Sequence, residues 1–286
     1  EVRPTPLGDE IVMGSDARFM IKNDVLGDQL GNEGERSSDY VALSKKSHLA
    51  LIETNSQYAL MLDDREVMRD LVASEVHYEP ASRLVGQPGL VDFRFLDLET
   101  KRTYSVPEPH HGHQVFMTDP DTAHGIVAVV VASDLHDHAL AWTLRRRDLE
   151  AGTLGTLQTF PATIAAVDRR GTIYLAREGG VEQANANVVF PEGAVDPSPD
   201  GELVAIRTDH ELQMYTRRGT LRWHLAIDTQ WARWSADGTS LWIGNSAIAR
   251  VDPATGMIVA RHCGFQFARR KLPDAAIHEN GALFCE

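Results

Sequence analysis

A short polar turn that ends in glycine and opens onto an apolar strand recurs along the second half of this chain. Ser198-Pro199-Asp200-Gly201 precedes Leu203-Val204-Ala205-Ile206, and Ser235-Ala236-Asp237-Gly238 precedes Leu241-Trp242-Ile243. Asp168-Arg169-Arg170-Gly171 leads into Ile173-Tyr174-Leu175-Ala176, and His278-Glu279-Asn280-Gly281 into Ala282-Leu283-Phe284-Cys285. A looser copy, Asp119-Pro120-Asp121 through Gly125, introduces Ile126 to Val131. Each residue type has a physical reason to be there. Proline presets φ, aspartate bonds its own backbone, and glycine accepts the positive φ of a tight hairpin. The five glycines are spaced by 46, 30, 37 and 43 residues. Four strands and their turns fill about 40 residues, which is the period of a propeller blade.

A second element follows the strand pairs. Phe95 to Lys101 and Val251-Asp252-Pro253-Ala254-Thr255-Gly256 both read as strand, turn, outer strand, and 147–152 and 214–219 are further copies. The expected fold is all-β: one β-propeller domain over 1–286, with seven blades, or six as the alternative. Blades are expected at 38–70, 73–108, 111–160, 161–190, 191–228 and 229–266. The C-terminal remainder has room for two strands, Ala275-Ala276-Ile277 and Ala282 to Cys285. A four-stranded blade needs two more, and Glu10 to Met13 with Arg18 to Ile21 are expected to supply them, so that N-terminal strands close the last blade. The span 23–80 carries the weakest signal. Asp63-Asp64 there can cap a short helix with Val67, Met68, Leu71 and Val72 on one face, or precede an edge strand.

Residues 193–263 resemble two consecutive blades of the WD40-like or YVTN-type bacterial propellers, with the Ser-Pro-Asp-Gly and Val-Asp-Pro-Ala-Thr-Gly turns in their usual order. The likeness is good over these residues and fair back to about residue 90. It implies a fold. Propellers host too many activities for it to imply a function.

The net charge of −13 argues against nucleic acid as a partner, because phosphate neutralisation needs a basic face. Short basic runs such as 145–147 and 269–271 sit among acids and read as solvated surface. Two cysteines, Cys263 and Cys285, form neither a disulfide framework nor a zinc spacing. The longest apolar stretch, Ile126 to Ala132, is too short to span a bilayer, so no membrane role is expected. The chain begins with Glu1, which reads as a processed or excised segment, and a cytoplasmic location is the default expectation.

Histidines supply the one site-like pattern. His110, His111 and His113 precede His124, His136 and His138, interleaved with Asp119, Asp121, Asp134 and Asp137. On an extended segment His111 and His113 share a side, as do His136 and His138, which is how two strands can build a metal site. The opposing reading, which prevails, gives Asp119 and Asp121 to the repeated turn and Asp134 to His138 to an exposed hairpin loop. No catalytic, cofactor-binding or metal-ligating residue is therefore assigned, and no cofactor is expected. Gly-x-Ser-x-Gly and glycine-rich phosphate loops are absent from the sequence. The acids Glu33, Glu35, Asp63 and Asp64 read as solubility groups. Trp231 and Trp234 have opposite parity on one strand, so one faces a blade interface and the other can bind at a rim. The expected function is a non-enzymatic scaffold that presents a propeller face or rim to a protein partner, with Trp231 and Arg233 as candidate contacts. The chain is expected to be a monomer or part of a larger chain or complex. The alternative is a lyase or hydrolase with its site at the channel mouth.

Overall fold

The structure, a computed structural model, describes residues 2–263 apart from 6–7, 14–16, 23–24, 30–36, 45–46, 55–56, 64, 73–75, 108–113, 134–137, 236 and 245–246. Among the described residues, strands assemble into seven four-stranded antiparallel sheets. The sheets span 2–29, 37–71, 77–107, 114–160, 163–190, 194–226 and 231–263. Within each, every strand pairs with its neighbour in sequence, in the manner of a meander. The last six sheets fall on the six blade spans expected from the turn repeat.

The seven sheets lie in two compact units, Glu1–Arg36 with Gly193–Glu286, and Ser37–Glu192. In the second unit, consecutive sheets pack face to face. Leu49, Leu60 and Leu71 of the second sheet meet Val85 and Leu96 of the third. Phe93, Phe95 and Val106 of the third meet Val130, Trp142 and Leu144 of the fourth. Val129, Val131 and Phe160 of the fourth meet Ile164, Ile173 and Leu175 of the fifth. This explains the unbroken apolar run of the strand Ile126–Ser133. Alternate side chains go to opposite neighbours, and both sides are buried, so neither parity can be polar. In the first unit, Met214 and Leu212 of the sixth sheet meet Trp234, Leu241 and Ile243 of the seventh. The first strand of the seventh sheet, Trp231–Trp234, lies against the first strands of the sixth, Ala194–Pro197, and of the first, Val2–Thr5.

The repeated turns work through side-chain relays. Ser198 Oγ accepts from Leu203 N at 2.9 Å and donates to Asp200 Oδ1 at 2.6 Å, and Asp200 Oδ1 in turn accepts from Glu202 N at 3.0 Å. Ser235, Asp237 and Ser240 repeat the arrangement in the seventh sheet. In the fifth sheet Asp168 takes the serine's place and accepts from Arg170 N and Thr172 N at 2.9 and 2.8 Å. Burial holds its carboxyl above the usual range despite those donors. Gly201 and Gly238 follow with φ of 66° and 71°, the left-handed turn that glycine accepts without strain. Ser198 is buried, so Ser198→Ala leaves the Leu203 N–H without its acceptor. The expected loss is about 1–3 kcal/mol in urea unfolding.

Two expectations are corrected, and one open alternative is decided. Glu10 to Met13 and Arg18 to Ile21 do lie in strands, Gly8–Met13 and Ala17–Lys22. These pair with each other and with Val2–Thr5 and Val25–Gln29, so the N-terminal strands build a sheet of their own instead of closing the last blade. The seventh sheet takes all four strands from 231–263. The expected strands 275–277 and 282–285 lie outside the described residues, as does the turn at 278–281. Of the two readings open for this span, the edge strand holds: residues 65–71 form the outer strand of the second sheet. Residues 147–152, expected as a copy of the strand, turn and outer-strand element, hold the helix Arg146–Ala151, with Asp148 Oδ2 accepting from Arg145 N at 2.8 Å and Gly152 ending it at φ 64°.

Candidate functional site

The histidine pattern is placed only in part. His110, His111, His113, Asp134, His136 and Asp137 lie outside the described residues, as do Glu33, Glu35, Asp64 and Cys285. His124 is exposed at φ 53° in the turn before Ile126, and Asp119 in that turn accepts from Asp121 N at 3.0 Å. His138 immediately precedes the strand Ala139–Arg145. Asp63 is a hairpin residue whose Oδ1 accepts from His48 N at 2.9 Å. Among the described residues, no group of three or more His, Cys, Asp or Glu side chains is placed to hold a metal. None of the described helices is long and apolar enough to cross a membrane.

Two places stand out instead. The first lies along the outer strands of the second and third sheets. The hairpin joining Leu84–Pro88 to Asp92–Asp97 is closed by Gly89 N donating to Asp92 O at 2.7 Å. Its two tip residues are Leu90 and Val91, 51% and 73% exposed, where turn statistics favour Gly, Asn or Asp. Val72, also exposed, is fixed beside the hairpin by its N–H donating to Pro88 O at 3.0 Å. Below this apolar tip runs a groove of about 350 Å³ between the two outer strands, with Met68 and Tyr104 in its wall and Glu66, Arg69, Arg94 and Ser105 along it. Asp92 accepts from Arg94 Nε at 2.9 Å and from Ser105 Oγ at 2.6 Å, and Arg94 Nη1 donates to Arg69 O. Those bonds link the base of the hairpin to the groove and to both outer strands.

The second place is on the inner strands of the sixth and seventh sheets. Arg233 is 44% exposed and pairs with Asp196 at 3.3 Å. Trp234 Nε1 donates to Asp196 O at 2.9 Å, which ties the two strands together. Burial pushes the Asp196 carboxyl up to about 6, although Arg233 and Arg207 both pull it down. Of the two tryptophans, Trp234 is buried, as the parity argument requires of one of them. Trp231 is half-buried, its indole lying over its cross-strand partner Gly244, where a Cβ would meet the ring at 2.3 Å. It is packing first and surface second.

Leu90, Val91 and Asp196 were not singled out from the sequence. The Pro88-Gly89 pair is the signal that could have placed Leu90 and Val91 in a turn.

No family model matches the chain, and no curated protein sequence does. Solved structures do. A functionally unknown protein from Desulfotomaculum acetoxidans matches with a TM-score of 0.54 at 13% identity, over 89% of this chain and 94% of that one. Kluyveromyces lactis Hsv2, with its loop 6CD replaced by a Gly-Ser linker, matches with a TM-score of 0.54 at 12% identity, over 84% and 83% of the two chains. The fold is propeller-like. At these identities the likeness extends to the fold and no further.

Proposed function

We propose that the chain is a seven-bladed propeller of the WD40-like or YVTN-type, a single domain over 1–286, that acts without catalysis by presenting one rim to a protein partner. The observation that carries this reading is the hairpin tip Leu90-Val91 with Val72 beside it. Exposed apolar side chains held rigidly above an arginine-lined groove are the make-up of a binding hot spot. A preorganised surface loses little conformational freedom on binding, so more of the contact energy is left as affinity. The net charge of −13 favours a partner with basic patches, and steering towards it weakens as salt rises.

The test is a photo-crosslinking side chain placed at position 91, with position 189, on an outer strand of the fifth sheet, as control. In the native lysate a single protein should crosslink at 91 and not at 189, more strongly at low salt. Leu90→Asp with Val91→Asp should leave the melting temperature unchanged and weaken that partner's affinity at least about tenfold, the loss of one or two apolar anchors. Equal capture by the variant, or turnover of a small substrate by the isolated chain with no partner, overturns the proposal.

A further inference from the structure

We infer that the first two strands of the sixth sheet and the first strand of the seventh hold a site for a small dianionic oxyanion, gripped by Arg207 and Arg233. Arg207 ends the strand Leu203–Arg207, and Arg233 lies on Trp231–Trp234, whose strand packs against that sheet. Arg233 contacts Asp196 from the neighbouring sheet at 3.3 Å, and the charge of Arg207, on the carboxylate's own sheet, also lowers its carboxyl. Two cations thus share one carboxylate, an excess of positive charge inside a protein of net charge −13.

The donors are also underused. Arg207 Nη1 donates to Thr229 O at 3.2 Å, while its Nε is buried and has no acceptor among the described residues. A buried donor without an acceptor is costly, and an incoming oxyanion relieves it. Arg233 Nη1 donates to Ala232 O at 2.9 Å and to Asp196 Oδ1 at 3.3 Å. Charge-assisted bonds of this kind close to about 2.7–2.9 Å when they are tight. The Asp196 contact is therefore loose, and its carboxylate behaves as a placeholder that a stronger acceptor can displace. Sulfate-like and phosphate-like groups match the planar fork of arginine.

An anion entering beside Asp196 disfavours the ionised carboxyl, so binding is accompanied by proton uptake at that residue. With the free carboxyl titrating at about 6, the competent form is most of the protein at pH 5.5 and a few per cent at pH 7.5. Affinity should then fall about 25-fold between those pH values.

The probe is sulfate, which stays dianionic across this range, added to the full chain at constant ionic strength. Calorimetry gives the stoichiometry and affinity, and tryptophan fluorescence reports on Trp231 and Trp234 beside the site. One equivalent should bind, with the stated pH dependence. Arg233→Gln, at an exposed side chain, should weaken binding at least tenfold, and Arg207→Gln likewise. Asp196→Asn should bind equally well at both pH values. Arg217→Gln, in the turn between the last two strands of the sixth sheet and paired with Glu202, should change nothing. Absence of saturable binding at pH 5.5, or binding unmoved by Arg233→Gln, overturns the inference.

Discussion

Arg169→Ala is expected to destabilise the chain by about 3–5 kcal/mol, the usual cost of stripping the partner from a buried charge. The charge left behind is Glu79, whose side chain is 3% exposed. Arg169 holds both of its oxygens, Nε donating to Oε2 at 2.7 Å and Nη2 to Oε1. Without the guanidinium the carboxylate keeps the Ala81 N–H at 3.0 Å. The pair also ties three sheets together. Glu79 ends the first strand of the third, Asp119 follows the first strand of the fourth, and Arg169 follows the first strand of the fifth. Asp119 N donates to Arg169 O at 2.8 Å, with the Asp119 carboxylate 4.0 Å from the guanidinium. Denaturant unfolding measures the effect, and joint replacement of Glu79 and Arg169 by leucine should recover much of it. A loss below about 1 kcal/mol for Arg169→Ala would mean that solvent reaches Glu79 after all.

Asp196→Asn should stabilise the chain at neutral pH, by an amount that depends on pH in a defined sense. The Asp196 carboxyl titrates at about 6 in the folded chain, against 3.8 when unperturbed. The native state therefore holds this proton more tightly than the unfolded state does. Stability from this group is intact below pH 4, falls as pH rises from 4 to 6, and is fully lost above that, a total of about 3 kcal/mol. Asparagine imitates the neutral carboxyl and does not titrate. Variant and wild type should match near pH 4 and differ by about 3 kcal/mol at pH 7, in the variant's favour. A difference independent of pH would refute the assignment.

The turn repeat was legible because its chemistry is local. Ser198, Asp200 and Gly201 satisfy one another within four residues, so their spacing survives in the sequence, and the blade spans follow from it. The first sheet was not legible. Val2-Arg3-Pro4-Thr5 and Val25-Leu26-Gly27-Asp28-Gln29 carry a proline and a glycine that argue against strands, so only its two middle strands were recognised. The helical reading of 63–72 failed for a different reason. Met68 and Leu71 are both buried although three residues apart, because Asp70 at φ 54° and a register shift opposite 58–60 break the strand's parity. The candidate sites were hidden because they depend on contacts between distant residues. Asp196 acquires its character from burial against the next sheet, opposed by Arg233, 37 residues on, and an apolar Leu90-Val91 pair is by composition an ordinary core element.

The finding that every sheet, the first included, pairs only with strands next to it in sequence has a bearing on how the chain is made. Among the described residues no ladder joins distant parts of the chain, so no hydrogen-bonded sheet must wait for the ribosome to finish. A last blade completed from the N-terminus would have left its two strands unpaired until about 250 further residues had emerged, with the loop-closure cost that such a span carries. Here each set of four strands can close within its own 30 to 50 residues as it leaves the exit tunnel. The edges it presents to solvent during synthesis are those of a finished sheet, which shortens the time in which a nascent chain can pair with its neighbours on a polysome.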